Sequence, residues 1–288
     1  VKEGVTLVST FYDNLQSHNG IILFPGITEH RSSLDELGQQ LASHFKVWAF
    51  DLNSQGESTG KWDLNEMQQS VFMIQKLLRE RHDLGKIGGY GNSAGGMAVG
   101  LTAAQDSSTL DSLCLTSTPA ALQEVIPKIV CQMLSYVPQS WVKWGTIKFD
   151  EKQARINENY RKKSHAQFKT EAGYQPYAQF GALKIDNLRK MMNYIVEDPR
   201  LDEQASRITQ PTLLVYGGDD SLLKIKRTRL PKNIQKMCDS ISDKIWIVVD
   251  GADHSLNEKT LLDGSFNQDP KYSFVKEYIV GHFGRFML

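Results

Sequence analysis

Gly89-Tyr90-Gly91-Asn92-Ser93-Ala94-Gly95-Gly96 contains Gly91-x-Ser93-x-Gly95, the pattern of a serine placed on a sharp turn between a strand and a helix. A serine held in a strained backbone conformation needs small neighbours, because the turn closes directly against the helix that follows. The flanks fit this. Lys86 to Tyr90 suits the end of a short buried strand, and Ala94 to Ala104 is small, apolar and helix-compatible. So short a pattern also arises in Gly/Ser-rich turns without chemistry, so its context has to carry the reading.

Working outward, Ile21-Ile22-Leu23-Phe24 and Val47 to Phe50 are continuous apolar runs, as expected of strands buried on both faces of a parallel sheet. Val5 to Tyr12 alternates and reads as an early antiparallel strand. Helices are expected from about Ser33 to His44 and from Asn65 to Arg81, the latter with Met67, Val71, Ile74 and Leu78 on one face. Leu110–Thr116, Thr212–Tyr216 and Lys244–Val249 complete the strands, and Ser273–Phe286 is a terminal helix. Strands alternating with helices predict an α/β fold, with a mostly parallel central sheet and helices on both faces.

The alternation breaks after Pro119. Leu122, Val125, Ile126, Ile129, Val130, Met133, Leu134 and Val137 form one apolar helical stripe, interrupted by Pro127, and Trp141 and Trp144 follow. The stripe reads as a face packed on the core rather than a lipid-facing surface, Trp141 and Trp144 as lining an acyl pocket or closing the region's own small core, and Arg161-Lys162-Lys163 as a solvated face. A region of this length is too long for a structureless loop. The chain therefore divides into a core, residues 1–119 and 208–288, and an inserted helical region, residues 120–207.

Lysine plus arginine and aspartate plus glutamate both number 33, so the net charge is zero and there is no electrostatic footprint for nucleic acid or anionic lipid. No run approaches the ~20 apolar residues of a membrane span, and the residues from Val1 onward do not read as a basic-then-apolar signal leader, an earlier segment being left open. Cys114, Cys131 and Cys238 have no metal-ligand spacing and read as buried small hydrophobes in a reducing compartment. A cytoplasmic location is expected, with no cofactor and no metal; the oligomeric state is left open.

A serine hydroxyl is a poor nucleophile at neutral pH and needs an adjacent base, donors for the developing oxyanion and a carboxylate to orient the imidazole. Ser93, an aspartate after a late strand and His254 after the last strand occur in the chain order of such a set, each just past a strand's carboxyl end, where ligands gather in open α/β sheets. Asp220 is expected to turn back towards the site, whereas Asp219, one position short, faces the other way and serves the turn. Asp250 and Asp253 are expected to shape the loop of His254, and His30 to position the loop that precedes it.

These motifs resemble the monoacylglycerol lipase / serine aminopeptidase branch of the α/β-hydrolases over nearly the whole chain. Gly26-Ile27-Thr28-Glu29-His30 is similar to that branch's oxyanion loop, Asp51 through Gly60 to its Asp-x-x-Gly-His-Gly-x-Ser-x-Gly loop, and Gly91 to Gly96 to its elbow. The resemblance implies Ser93 as nucleophile, His254 as base and Asp220 as acid. It further implies the N–H groups of Ile27 and Ala94 as the oxyanion hole, and residues 120–207 as a helical cap. Pro25, Thr28, Ser54-Gln55 and Asn92 depart from the pattern, standing where the branch has histidine, glycine, glycine-histidine and histidine. The expected activity is hydrolysis of carboxylic esters of the acylglycerol-like kind, with Gly26, Trp141 and Trp144 along the substrate pocket. A peptidase, thioesterase or amidase uses the same residues, a peptidase needing a cap carboxylate such as Glu151, Glu158 or Glu171. A non-catalytic binding module on this scaffold is the rival of another class, and the full set of Ser, His and Asp speaks against it.

Overall fold

The computed structural model describes residues 4–27, 29–125, 199–226, 229–254, 256 and 270–288. Seven strands form one sheet: β1 (Ser9–Tyr12), β2 (Gly20–Phe24), β3 (Lys46–Phe50), β4 (Ile87–Asn92), β5 (Ser112–Thr116), β6 (Thr212–Gly217) and β7 (Lys244–Val249). Their spatial order is β1-β3-β2-β4-β5-β6-β7, with β1 antiparallel to β3 and every other pairing parallel. This is the α/β-hydrolase fold that the sequence led us to expect.

The apolar runs become buried strands because alternate side chains enter opposite layers. Ile22 and Phe24 of β2 join Trp48, Phe50, Met67, Val71 and Ile74 on one face. Ile21 and Leu23 join Leu37, Leu41, Val275, Ile279 and Phe283 on the other. The helices that supply these layers are α1 (Asp35–Leu41), α2 (Leu64–His82), α3 (Ala94–Gln105) and, at the chain's end, a helix over Pro270–Met287. Asp63 starts α2 by accepting a hydrogen bond from the Asn65 N–H at 2.8 Å. Every residue of α3 from Ala94 to Ala104 is buried, which explains its run of glycine and alanine.

Chain direction reverses between β2 and β4: α1 leads to β3 on one side, and α2 carries the chain back over β2 to β4. The crevice at such a switch point, beyond the strands' carboxyl ends, is where an open α/β sheet binds ligands. The ends of β2 and β4 place the Pro25–Ile27 segment and Ser93 there.

Of residues 120–207, expected from the sequence to form an insertion, only the edges fall within the described residues, with short helices at Leu122–Val125 and Leu201–Gln204. Leu201 donates its N–H to the Ala120 carbonyl at 2.8 Å, so the chain leaves and re-enters the core at one place. The apolar stripe beyond Val125, Trp141, Trp144, Cys131 and the cap glutamates lie outside the described residues. A helix over Lys232–Ser240, burying Ile234, Met237 and Cys238, was not expected from the sequence. No helix among the described residues is long and apolar enough to cross a membrane. Burial pushes the Cys238 thiol up to about 12 and raises Cys114 as well, so neither is a reactive thiolate.

Candidate active site

The turn between β4 and α3 is as tight as its glycines imply. Ser93 has φ 51° and ψ −115°, a conformation that costs a non-glycine residue on the order of 1–3 kcal/mol. Its N–H is anchored on the Thr116 carbonyl at 2.8 Å, and the residue is 4% exposed. A Cβ on Gly91 would overlap the backbone of Gly95 and Gly96, so only glycine lets the strand end lie against the first turn of α3.

Asp220 follows β6 by three residues and is fully buried; His254 follows β7, with 17% of its side chain exposed. The two loops lock together, Gly218 N–H donating to the Val249 carbonyl at 2.8 Å and Asp219 N–H to that of Ala252 at 2.9 Å. Their approach brings His254 Nδ1 to 2.7 Å from Asp220 Oδ2 and His254 Nε2 to 3.1 Å from Ser93 Oγ. Asp220 Oδ1 is occupied by the Leu223 N–H at 2.9 Å, which fixes the carboxylate plane. Nδ1 thus faces the carboxylate and Nε2 the serine hydroxyl, the arrangement a base between an acid and a nucleophile requires.

The backbone N–H groups of Ala94 and Ile27 were the oxyanion donors expected from the sequence. Ala94 opens α3, so its N–H has no intrahelical acceptor and sits at the positive end of the helix. Gly26–Glu29 is a turn closed by the Glu29 N–H on the Gly26 carbonyl at 3.2 Å, with Ile27 as its second residue. The N–H at that position of a turn has no partner within it.

Sequence reasoning missed what holds this loop. Glu29 accepts the Gly26 N–H at 2.7 Å and the Asn92 side-chain amide at 3.2 Å. Gln55 donates its amide to the Gly26 carbonyl at 3.3 Å. Arg31 pairs with buried Asp51 and with Glu57, and donates its N–H to Asp51 Oδ1 at 2.8 Å. His30, Asp51 and Glu57 also bring donor atoms within 4.8 Å of one another, as a cation site does. The Arg31 guanidinium already supplies the positive charge there, so the group is explained as a brace between the loops after β2 and β3. The one available sequence signal was position: both loops follow adjacent strands.

The family model described as serine aminopeptidase, S33, matches residues 16–260. The chain belongs to this family. No curated protein matches the sequence. Among solved structures, this S33-family chain is similar to an α/β hydrolase enzyme from a Medee basin deep-sea metagenome library (TM-score 0.67, 13% identity, 99% of this chain and 96% of that one). A thermophilic esterase from Thermogutta terrifontis is similar at TM-score 0.64 and 17% identity, over 100% and 97% of the two chains. The N-formylmaleamic acid deformylase of Pseudomonas putida follows at 0.63 and 16%, over 91% and 95%. At these identities the likeness establishes the α/β-hydrolase fold. The S33-family chain is thus a hydrolase by family, and its substrate remains to be argued from its own residues.

Proposed function

We propose that the chain is a serine hydrolase cleaving carboxylic esters with an apolar acyl or alcohol part, through an acyl-enzyme on Ser93. The observation that carries this reading is the continuous chain of 3.1 Å and 2.7 Å contacts from Ser93 Oγ through His254 to Asp220. His254 Nε2 takes the Ser93 proton as Oγ attacks the substrate carbonyl. The developing oxyanion is held by the N–H groups of Ile27 and Ala94. His254 then protonates the leaving alcohol, and a water attacks the acyl-enzyme along the same path in reverse. Asp220 orients the imidazole and stabilises the imidazolium. Gly26 lines the floor of the pocket, and the cap, residues 120–207 with Trp141 and Trp144, covers it and sets acyl length, at ~1–3 kcal/mol per well-fitting methylene. The esterase among the similar structures supports the ester preference; the family description favours a second reading, an aminopeptidase with a cap carboxylate on the substrate ammonium.

The test is active-site labelling with a fluorophosphonate, followed by p-nitrophenyl esters of increasing chain length beside aminoacyl naphthylamides. Labelling of Ser93 and its loss in Ser93→Ala are expected, with turnover of esters above amides and a fall of several orders of magnitude in the variant. Full turnover by a folded Ser93→Ala refutes the assignment. Preference for the amides instead supports the aminopeptidase reading.

A further inference from the structure

Among the polar groups around the site, Gln55 has no place in the chemistry described so far. It is 1% exposed, in the loop after β3, and its side-chain amide donates to the Gly26 carbonyl. A carbonyl and the N–H of the next residue belong to one rigid plane and point in opposite directions. The carbonyl of Gly26 and the N–H of Ile27 are such a pair. A donor on one end therefore sets the direction of the other end, and by polarising the amide strengthens it as a donor. Resting on the proposed roles of Ser93 and Ile27, we infer that Gln55 is a positioning residue: it fixes and polarises the Gly26–Ile27 peptide so that the Ile27 N–H points at the oxyanion.

Three further observations support this. The loop carrying Gln55 is itself rigid, with Gln55 N–H donating to Leu52 O at 3.0 Å and Ser58 N–H to Gln55 O at 2.9 Å. Buried Asp51 anchors both sides, accepting the N–H of Glu57 at 3.0 Å from this loop and that of Arg31 from the loop after β2. The preceding peptide is fixed independently, because Glu29 takes the Gly26 N–H and is itself held by Asn92, whose Oδ1 accepts from the Thr116 hydroxyl at 3.1 Å. With the Gly26 N–H engaged, the direction of the Gly26–Ile27 plane is set by what its carbonyl accepts. That carbonyl takes the turn bond from the Glu29 N–H at 3.2 Å and a second donor, the Gln55 amide, from the loop after β3. Losing Gln55 leaves the plane held from the turn side alone.

The experiment compares the parent with Gln55→Met, of similar length without a donor, Gln55→Glu, which sets a carboxylate against the carbonyl, and Gln55→His, which keeps a ring N–H. In Gln55→Met, kcat on p-nitrophenyl acetate is expected to fall roughly tenfold or more with KM within about twofold, because an oxyanion donor acts in the transition state. The rate of Ser93 phosphonylation falls in parallel, Gln55→Glu falls further, and Gln55→His recovers part of the loss. The pH profile keeps the parent's midpoint, since the Ser93–His254–Asp220 chain is untouched. A kcat within twofold of the parent in folded Gln55→Met overturns the inference, as does a loss carried by KM. The Ile27 amide supplies an activity-independent arm by nuclear magnetic resonance: its proton resonance shifts and its hydrogen exchange quickens in Gln55→Met. An unmoved Ile27 amide overturns the inference whatever the turnover. A parent whose Ser93 is never labelled sinks the hydrolase reading instead, and with it this role for Gln55.

Discussion

Replacing Gly95 by alanine tests whether the turn at Ser93 and the loop after β2 share one geometry. A Cβ on Gly95 would sit 2.5 Å from the Pro25 carbonyl oxygen and 2.6 Å from that of Phe24, whereas real Cβ contacts essentially never fall under 3.0 Å. Moving from 2.5 to 3.0 Å takes half an ångström, and both obstacles are backbone, so no rotamer relieves the clash. Either the first turn of α3 shifts and carries Ser93 with it, or Pro25 shifts and carries Ile27. Misplacing a reacting group by about 1 Å costs ~10²-fold, so Gly95→Ala is expected to lose roughly 10- to 100-fold in kcat. Overpacking a dense interior costs typically about 1–3 kcal/mol. At ~2–4 °C per kcal/mol for a chain of this size, the melting temperature should drop by roughly 2–12 °C. Gly100→Ala is the control in the same helix: its Cβ would meet the flexible tip of Leu201 at 3.0 Å, which can give way. It should keep parental kcat. The assay is p-nitrophenyl acetate turnover beside thermal melts by circular dichroism. Parental kcat in Gly95→Ala would mean that the loop yields without moving Ile27, and the geometric argument would fail.

Further outcomes follow from the same structure. Asp220→Asn should lose up to ~10⁴ in turnover because the imidazole is left in the wrong tautomer, while Asp219→Asn, whose N–H serves the turn, should lose roughly tenfold or less; steady-state kinetics reversed between the two would assign the acid to Asp219. Burial lowers the His282 imidazole below its ordinary value of 6.5, outweighing the Pro211 and Leu113 carbonyls that oppose the shift. The unfolded chain therefore binds a proton that the folded chain refuses, so stability falls as pH drops below about 6.5 and is unaffected by this group above it. Melts at pH 7.5 and 5.5 should lose less on acidification in His282→Asn, and an equal loss in both proteins refutes the assignment. Gly281 lies inside the last helix, with nothing within 4 Å of the position a Cβ would take. Its replacement by alanine should stabilise the fold by about 1 kcal/mol, read from a urea melt.

What the sequence made legible follows the physics of each element. Strands β2 to β6 announced themselves because burial on both faces leaves few polar positions, whereas β7, with Ile245 and Trp246 exposed, was legible only as an apolar run, and Lys244–Val249 matches the expectation residue for residue. The grouping of Ser93, Asp220 and His254 was legible because the turn at Ser93 admits only small neighbours and the other two lie a short distance past strand ends. Boundaries shifted where the ends are set by tertiary contact: the expected helix from Ser33 to His44 is a 3-10 turn over Arg31–Leu34 followed by Asp35–Leu41. Lys232–Ser240 was missed because only Ile234, Met237 and Cys238 of its nine residues carry the buried stripe. Gln55, Glu29 and Asn92 were illegible for a different reason. Each is an ordinary polar residue whose meaning lies in one partner far along the chain: 29 residues separate Gln55 from Gly26, and 63 separate Asn92 from Glu29. Periodicity reports which face of an element is buried and strained turns report which positions must be small, but neither carries information on which amide meets which carbonyl across a switch point. Groups that react are constrained by their own chemistry and so leave a local mark, whereas the groups that aim them are constrained only by geometry. The loops after β2 and β3 are where that geometry is built.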